Sequence, residues 1–140
     1  MITVLIHTDT RYPVNRKIIR KAVEDTFKKH KVENLDSEVS VAVVGSRKMK
    51  GLSQKYLNET SNHQILTFVL TESVSKEQLQ RTERPGFVNS PDGILRLGDV
   101  VLCWPQVLEE ASYNDIMVDD EVYALVCHGV GHLLGYSHNE

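Results

Sequence analysis

The chain has 140 residues, 41% of them hydrophobic and 25% charged, and a formal net charge of −3. That length suits a single domain over residues 1–140 with one real core, and no apolar run approaches the ~18 residues of a membrane span. Two cysteines, Cys103 and Cys127, both in apolar runs, are too few for a disulfide framework and read as small buried hydrophobes.

Charge is distributed unevenly. Residues 1–60 hold 12 Lys/Arg against 7 Asp/Glu, residues 61–140 hold 4 against 12, and no lysine or arginine follows Arg96. An anionic polymer would be met by the N-terminal half, although a solvated surface with incidental asymmetry accounts for the same counts equally well.

In chain order, residues 2–8 (ITVLIHT) are β-branched and apolar, which predicts a strand. The start has no basic n-region, long apolar core or small-residue cleavage site, so it is not read as a secretory signal and a cytoplasmic protein is expected. Asn15 is placed to cap a helix running to about Lys31, with Ile18, Ile19, Ala22, Val23 and Phe27 on its core face. Residues 38–44 alternate as a second strand ended by Gly45, and Ser46 is expected to cap a helix through about Leu57. Residues 64–70 predict a third strand. Residues 71–93 lack periodicity and predict a long surface loop, of the kind that often borders a site.

Residues 94–103 predict a fourth strand, with Gly98-Asp99 marking a bulge or the close approach of another group. Trp104-Pro105 opens a short helix to about Tyr113, and Asp119 or Asp120 is expected to cap the last one. On that last helix Val122, Leu125, Val126, Gly129 and Leu133 form a core stripe. Ala124, His128 and His132 form a neighbouring stripe able to look into a cleft. The expected fold is α+β: a mixed sheet of about four strands packed against helices, with the metal-binding helix at the C-terminus.

The metal expectation comes from spacing. Four residues on a helix turn the chain by roughly 400° and advance it by about 6 Å, so His128 and His132 project from one face. Gly135 accepts positive φ, ends the helix and folds the chain back, which brings His138 just beyond the turn. A histidine near a helix end often only complements the macrodipole. Here, however, three of the six histidines fall within eleven residues. Gly129 and Gly131 each cost about 1 kcal/mol against alanine in a helix, a burden that makes sense where substrate or backbone comes close.

His-x3-His-x2-Gly-x2-His is the skeleton of the metzincin proteases, except that Gly129 stands where their catalytic glutamate should be. Glycine cannot act as a general base, which decides against a protease. A metalloprotease or amidohydrolase would need a base elsewhere, and Glu121, two turns upstream and ~10 Å along the axis, is poorly placed for it. Three neutral histidines with one open position are the arrangement of catalytic zinc, one ion per chain, although such ligands suit nickel and cobalt as well.

Residues His128-Gly129-Val130-Gly131-His132-Leu133-Leu134-Gly135-Tyr136-Ser137-His138 resemble the C-terminal signature of the YbeY endoribonucleases, His-Gly-x-Leu-His-Leu-x-Gly-Tyr-Asp-His. Gly98-Asp99-Val100-Val101 is similar to that family's Gly-Asp-Ile-Val strand, and the stretch from Leu52 to Phe68 to its Leu-Asn-x-x-Tyr-Arg…Leu-Ser-Phe segment. The resemblance covers most of the chain from about residue 35 onward. It implies a zinc-dependent endoribonuclease acting on RNA phosphodiesters, in ribosomal RNA maturation and ribosome quality control, with ribosomal RNA and ribosomal proteins as partners and no membrane. It also implies metal ligation by His128, His132 and His138. Asp99 is expected either to orient a ligand histidine or the attacking water from behind, or to satisfy its own strand turn.

Three positions depart from the pattern. The family's arginine, expected at the scissile phosphate, is Leu57, its Thr-Asp pair is His63-Gln64, and its Tyr-Asp-His is Tyr136-Ser137-His138. Losing the arginine removes a fixed cation that would offset charge developing on phosphate. Arg47, Arg81, Arg84 and Arg96 are the candidates to replace it. The alternative function is therefore a catalytically weakened zinc-binding, ribosome-associated or RNA-binding factor.

Overall fold

The computed structural model describes residues 2–9, 11–59, 63–70 and 94–135. The expected loop over 71–93 lies outside the described residues, as do Arg81, Arg84 and His138. The described elements follow the order β1 (Ile2–Thr8), α1 (Arg16–Lys29), β2 (Ser37–Val44), α2 (Ser46–Leu57), β3 (Ile65–Val69), β4 (Leu95–Cys103), α3 (Trp104–Tyr113) and α4 (Val118–Leu133). The sheet runs β1-β2-β4-β3. β1, β2 and β4 are parallel, and β3 pairs antiparallel with β4 at one edge. This is the expected mixed α+β sheet.

Side-chain alternation divides the sheet into two faces. Val39, Val41 and Val43 of β2 and Val100 and Leu102 of β4 point to an inner face. There they pack with Ile19, Val23 and Phe27 of α1 and Val122, Val126, Val130 and Leu133 of α4. Each such side chain contributes about 1.5–3 kcal/mol by leaving water. Phe27, fully buried, is the position where truncation to alanine costs most, about 3–5 kcal/mol. The outer face carries a smaller cluster of Met49 from α2 with Leu66, Val101 and Cys103, joined by Leu52 and Phe68.

A bulge in β4 sets what faces where. Glu38 pairs with Arg96 but Val39 pairs with Gly98, so Leu97 is an extra residue. Leu95 and Leu97 therefore belong to the inner core together with Val100 and Leu102, and Asp99 is turned to the outer face with Val101. Gly98 sits at φ +144°, and a Cβ there would lie 2.1 Å from the Phe68 carbonyl oxygen and 3.0 Å from Leu133 Cδ2. Both expectations for Gly98, bulge and close approach, are met.

The helix ends show where local signals hold. Asn15 Oδ1 accepts from the Lys17 and Ile18 amides at 3.0 and 3.3 Å, capping α1 as expected. The cap of α2 is Gly45, not Ser46, and offers no side-chain hydrogen bond. A Cβ on Gly45 would meet Tyr12 Oη at 2.6 Å, so that close approach holds glycine there. α4 likewise starts at Val118 with Met117 at the cap, and Asp119, Asp120 and Glu121 fill its first turn, where carboxylates complement the positive end of the helix dipole. Asp119 instead accepts from Asn15 Nδ2 at 3.1 Å, tying the starts of α1 and α4 together. Among the described residues, no helix is long and apolar enough to cross a membrane.

Candidate metal centre

α4 carries the two imidazoles. Its buried stripe of Val122, Val126, Gly129 and Leu133 faces the sheet, which leaves His128 exposed and His132 half-buried beside it. Gly129 lets the helix settle closely: a Cβ there would lie 2.9 Å from Val100 Cγ1 and 3.1 Å from Ile65 Cδ1. At Gly131 an added Cβ meets nothing within 4 Å among the described residues, so among those residues close approach explains the first glycine and not the second. The helix ends where expected, with Gly135 at φ +91° and its amide donating to the His132 carbonyl at 3.0 Å.

His128 Nε2 and His132 Nε2 are 3.0 Å apart, and the rings meet edge to face at 84° with centroids 4.4 Å apart. Two nitrogens each ~2.0–2.1 Å from a tetrahedral zinc ion are separated by roughly 3.3 Å. The pair therefore has the reach and the chemistry of two ligands on one ion. Among the described residues no group of three or more metal-binding side chains converges. The remaining predicted ligand, His138, lies outside the described residues.

The other predicted site residues are elsewhere. Asp99 is on the outer face, so the sheet stands between its carboxylate and α4. There it lines a cavity of about 400 Å³ whose floor includes Ala42 and Val101, with Tyr56 and Phe68 on its wall and Lys48 also lining it. Leu57, in the arginine's position, is 45% exposed at the last turn of α2. Asn58 ends that helix in the left-handed region at φ 55°. Arg47 is exposed in the first turn of α2, and Arg96 Nε lies 3.6 Å from Glu38 Oε1.

The electrostatics of α4 come from its base and its α1 side. Glu121 is buried, and burial followed by the nearby charge of Glu110 pushes its carboxyl above the ordinary value. The Glu110 charge places this carboxyl near α3, two turns and about 10 Å along the axis from His128. On the other side Tyr123 Oη donates to Asp25 Oδ2 at 2.6 Å and Lys21 Nζ donates to the same oxygen at 2.9 Å. Those two donors, Tyr123 foremost, hold the Asp25 carboxyl below its usual range and fix α1 along α4. Sequence reasoning did not single out this contact, because its partners are 98 residues apart.

The chain is similar along nearly its whole length to known proteins. A family model described as Endoribonuclease YbeY matches residues 6–140. A Dehalococcoides mccartyi protein named Endoribonuclease YbeY is 30% identical over 139 residues, covering 99% of this chain and 78% of the relative. One of the same name from Halalkalibacterium halodurans is 26% identical over 137 residues, covering 98% and 82%. The fold is similar to the solution structure of TM1509 from Thermotoga maritima, with a TM-score of 0.57 at 22% identity, over 99% of this chain and 75% of that one. With its histidine helix and its match over residues 6–140, the chain belongs to the Endoribonuclease YbeY family.

Proposed function

We propose that the chain is a zinc-dependent endoribonuclease that cleaves RNA phosphodiesters, acting in ribosomal RNA maturation and ribosome quality control with ribosomal RNA and ribosomal proteins as partners. The observation that carries this reading is the 3.0 Å approach of His128 and His132 Nε2 one helical turn apart, in a member of an endoribonuclease family. His128, His132 and His138 would hold the ion, one per chain. When bound, zinc supplies a Lewis acid and makes water acidic enough to attack near neutral pH. The chain's own part is positional. Gly129 seats the helix against β3 and β4, the exposed His128 and the half-buried His132 turn their Nε2 atoms toward one another, and no glutamate follows His128 to serve a peptidase.

Leu57 favours a second reading, a zinc-binding RNA or ribosome factor with weakened turnover. Its side chain is exposed but cannot offset charge on a phosphate, and of the possible substitutes among the described residues, Arg96 is already engaged near Glu38. Incubation of purified protein with single-stranded RNA, before and after chelation and with zinc added back, separates the two. Cleavage that chelation stops and zinc restores supports the enzyme. RNA binding without cleavage under every condition supports the factor.

A further inference from the structure

The outer-face cavity has a composition of its own. α2 carries Arg47, Lys48, Lys50 and Lys55 and no acidic residue, and it lines the cavity with Lys48, Leu52 and Tyr56. The Tyr56 ring, on a residue 54% exposed, meets the Phe68 ring edge to face at 5.0 Å and 64°, with Lys55 Nζ 5.2 Å from the Tyr56 centroid. An exposed aromatic beside cations is how single-stranded nucleic acid is held without regard to sequence.

Asp99 breaks that pattern. It lies among the apolar side chains of the outer face, beside Ser40, its register partner on β2. A carboxylate there repels phosphate and accepts hydrogen bonds only from N–H or O–H donors. The cations occupy the exposed helix and the carboxylate the half-buried strand, so a nucleotide fits one way: phosphate out toward Lys48, base in toward Asp99. Among the bases, guanine presents two adjacent Watson–Crick donors, N1–H and N2–H₂, matching the two oxygens of a carboxylate. Unstacked RNA bases are read on that edge while stacked on aromatic side chains.

We infer that this cavity is a guanine-binding subsite for single-stranded RNA, in which Tyr56 stacks on the base, Asp99 accepts from its Watson–Crick edge and Lys48 meets the phosphate. The inference rests on the RNA reading above but not on cleavage or on a metal. The location suits a strand that also reaches the histidines. β3 carries Phe68 on the cavity side and Ile65 under α4, so the cavity and the histidine helix lie on opposite faces of one strand.

The test uses the full chain carrying His128→Ala to prevent cleavage, and two fluorescent hexanucleotide RNAs, all adenine or with one guanine. The guanine RNA is expected to bind about tenfold more tightly, and Asp99→Asn to abolish that preference while leaving adenine RNA affinity within about twofold. Tyr56→Ala should weaken both by about tenfold, and Lys48→Gln, at an exposed position, should reduce the salt dependence of binding. Equal binding of the two RNAs, or binding that Asp99→Asn and Tyr56→Ala leave unchanged, overturns the subsite while leaving the RNA reading intact. Absence of binding to either RNA overturns both.

Discussion

His128 Nε2 and His132 Nε2 face one another at 3.0 Å across one turn of α4. The glycine that follows the first of them rests against the sheet, so the same five residues set the spacing of the ligand pair and its height above β3 and β4.

The two glycines of this turn should behave oppositely. Alanine gains about 1 kcal/mol over glycine in a helix, but at Gly129 its methyl would press on the β-branched Val100 at 2.9 Å. Overpacking costs typically 1–3 kcal/mol. Gly129→Ala is expected to destabilise the metal-free protein by about 1 kcal/mol, and Gly131→Ala, with nothing within 4 Å among the described residues, to stabilise it by up to about 1 kcal/mol. Urea melts of the two variants check the sign of each, and a stabilised Gly129→Ala would count against the close approach.

Gly98 should be the least replaceable position in β4. Its φ of +144° and the Phe68 carbonyl 2.1 Å from an added Cβ leave alanine both strained and blocked. Gly98→Ala is expected to cost roughly 3 kcal/mol or more. A thermal melt close to that of the parent would show that the bulge does not fix the strand.

Glu121 should make stability fall as the solution turns neutral. Its folded-state carboxyl lies above the ordinary value of 4.5, through burial and then Glu110. The folded state thus binds the proton more tightly, and the stabilisation is fully present below pH 4.5. It is lost as pH rises through the raised value. Glu121→Gln, which removes the buried charge, is expected to raise Tm at pH 7 and to flatten the pH dependence above 4.5. An unchanged profile would mean the carboxyl is relieved by another group.

Leu57 is the position where turnover should be recoverable. Being 45% exposed, it should accept arginine with less than about 0.5 kcal/mol of change in stability. A cation at a developing phosphate charge is worth about 10²–10³ in rate when well placed. Leu57→Arg is therefore expected to raise RNA cleavage by at least about tenfold. Unchanged rates would indicate that the chain supplies its cation from elsewhere.

Much of this architecture was legible because its determinants are local. The β-branched runs matched the four described strands within a residue or two, Asn15 capped its helix, and the spacing of His128 and His132 placed them together on one turn. What failed depended on contacts between distant segments. Gly45 displaced Ser46 as a cap because Tyr12 crowds it, and Asp119 was drawn to Asn15 rather than to its own helix end. Asp99, expected either behind a ligand histidine or at its own strand turn, lies on the outer face of the sheet. The insertion of Leu97 in the β4 ladder reverses the alternation there, and periodicity alone cannot show on which side of a bulge a strand resumes.

The most direct measurement is metal content and RNA cleavage determined together for the parent and His128→Ala. About one zinc per chain with cleavage of single-stranded RNA in the parent, and loss of both in the variant, is the expected result. Full cleavage by a His128→Ala protein that carries no zinc would contradict the metal-centred account.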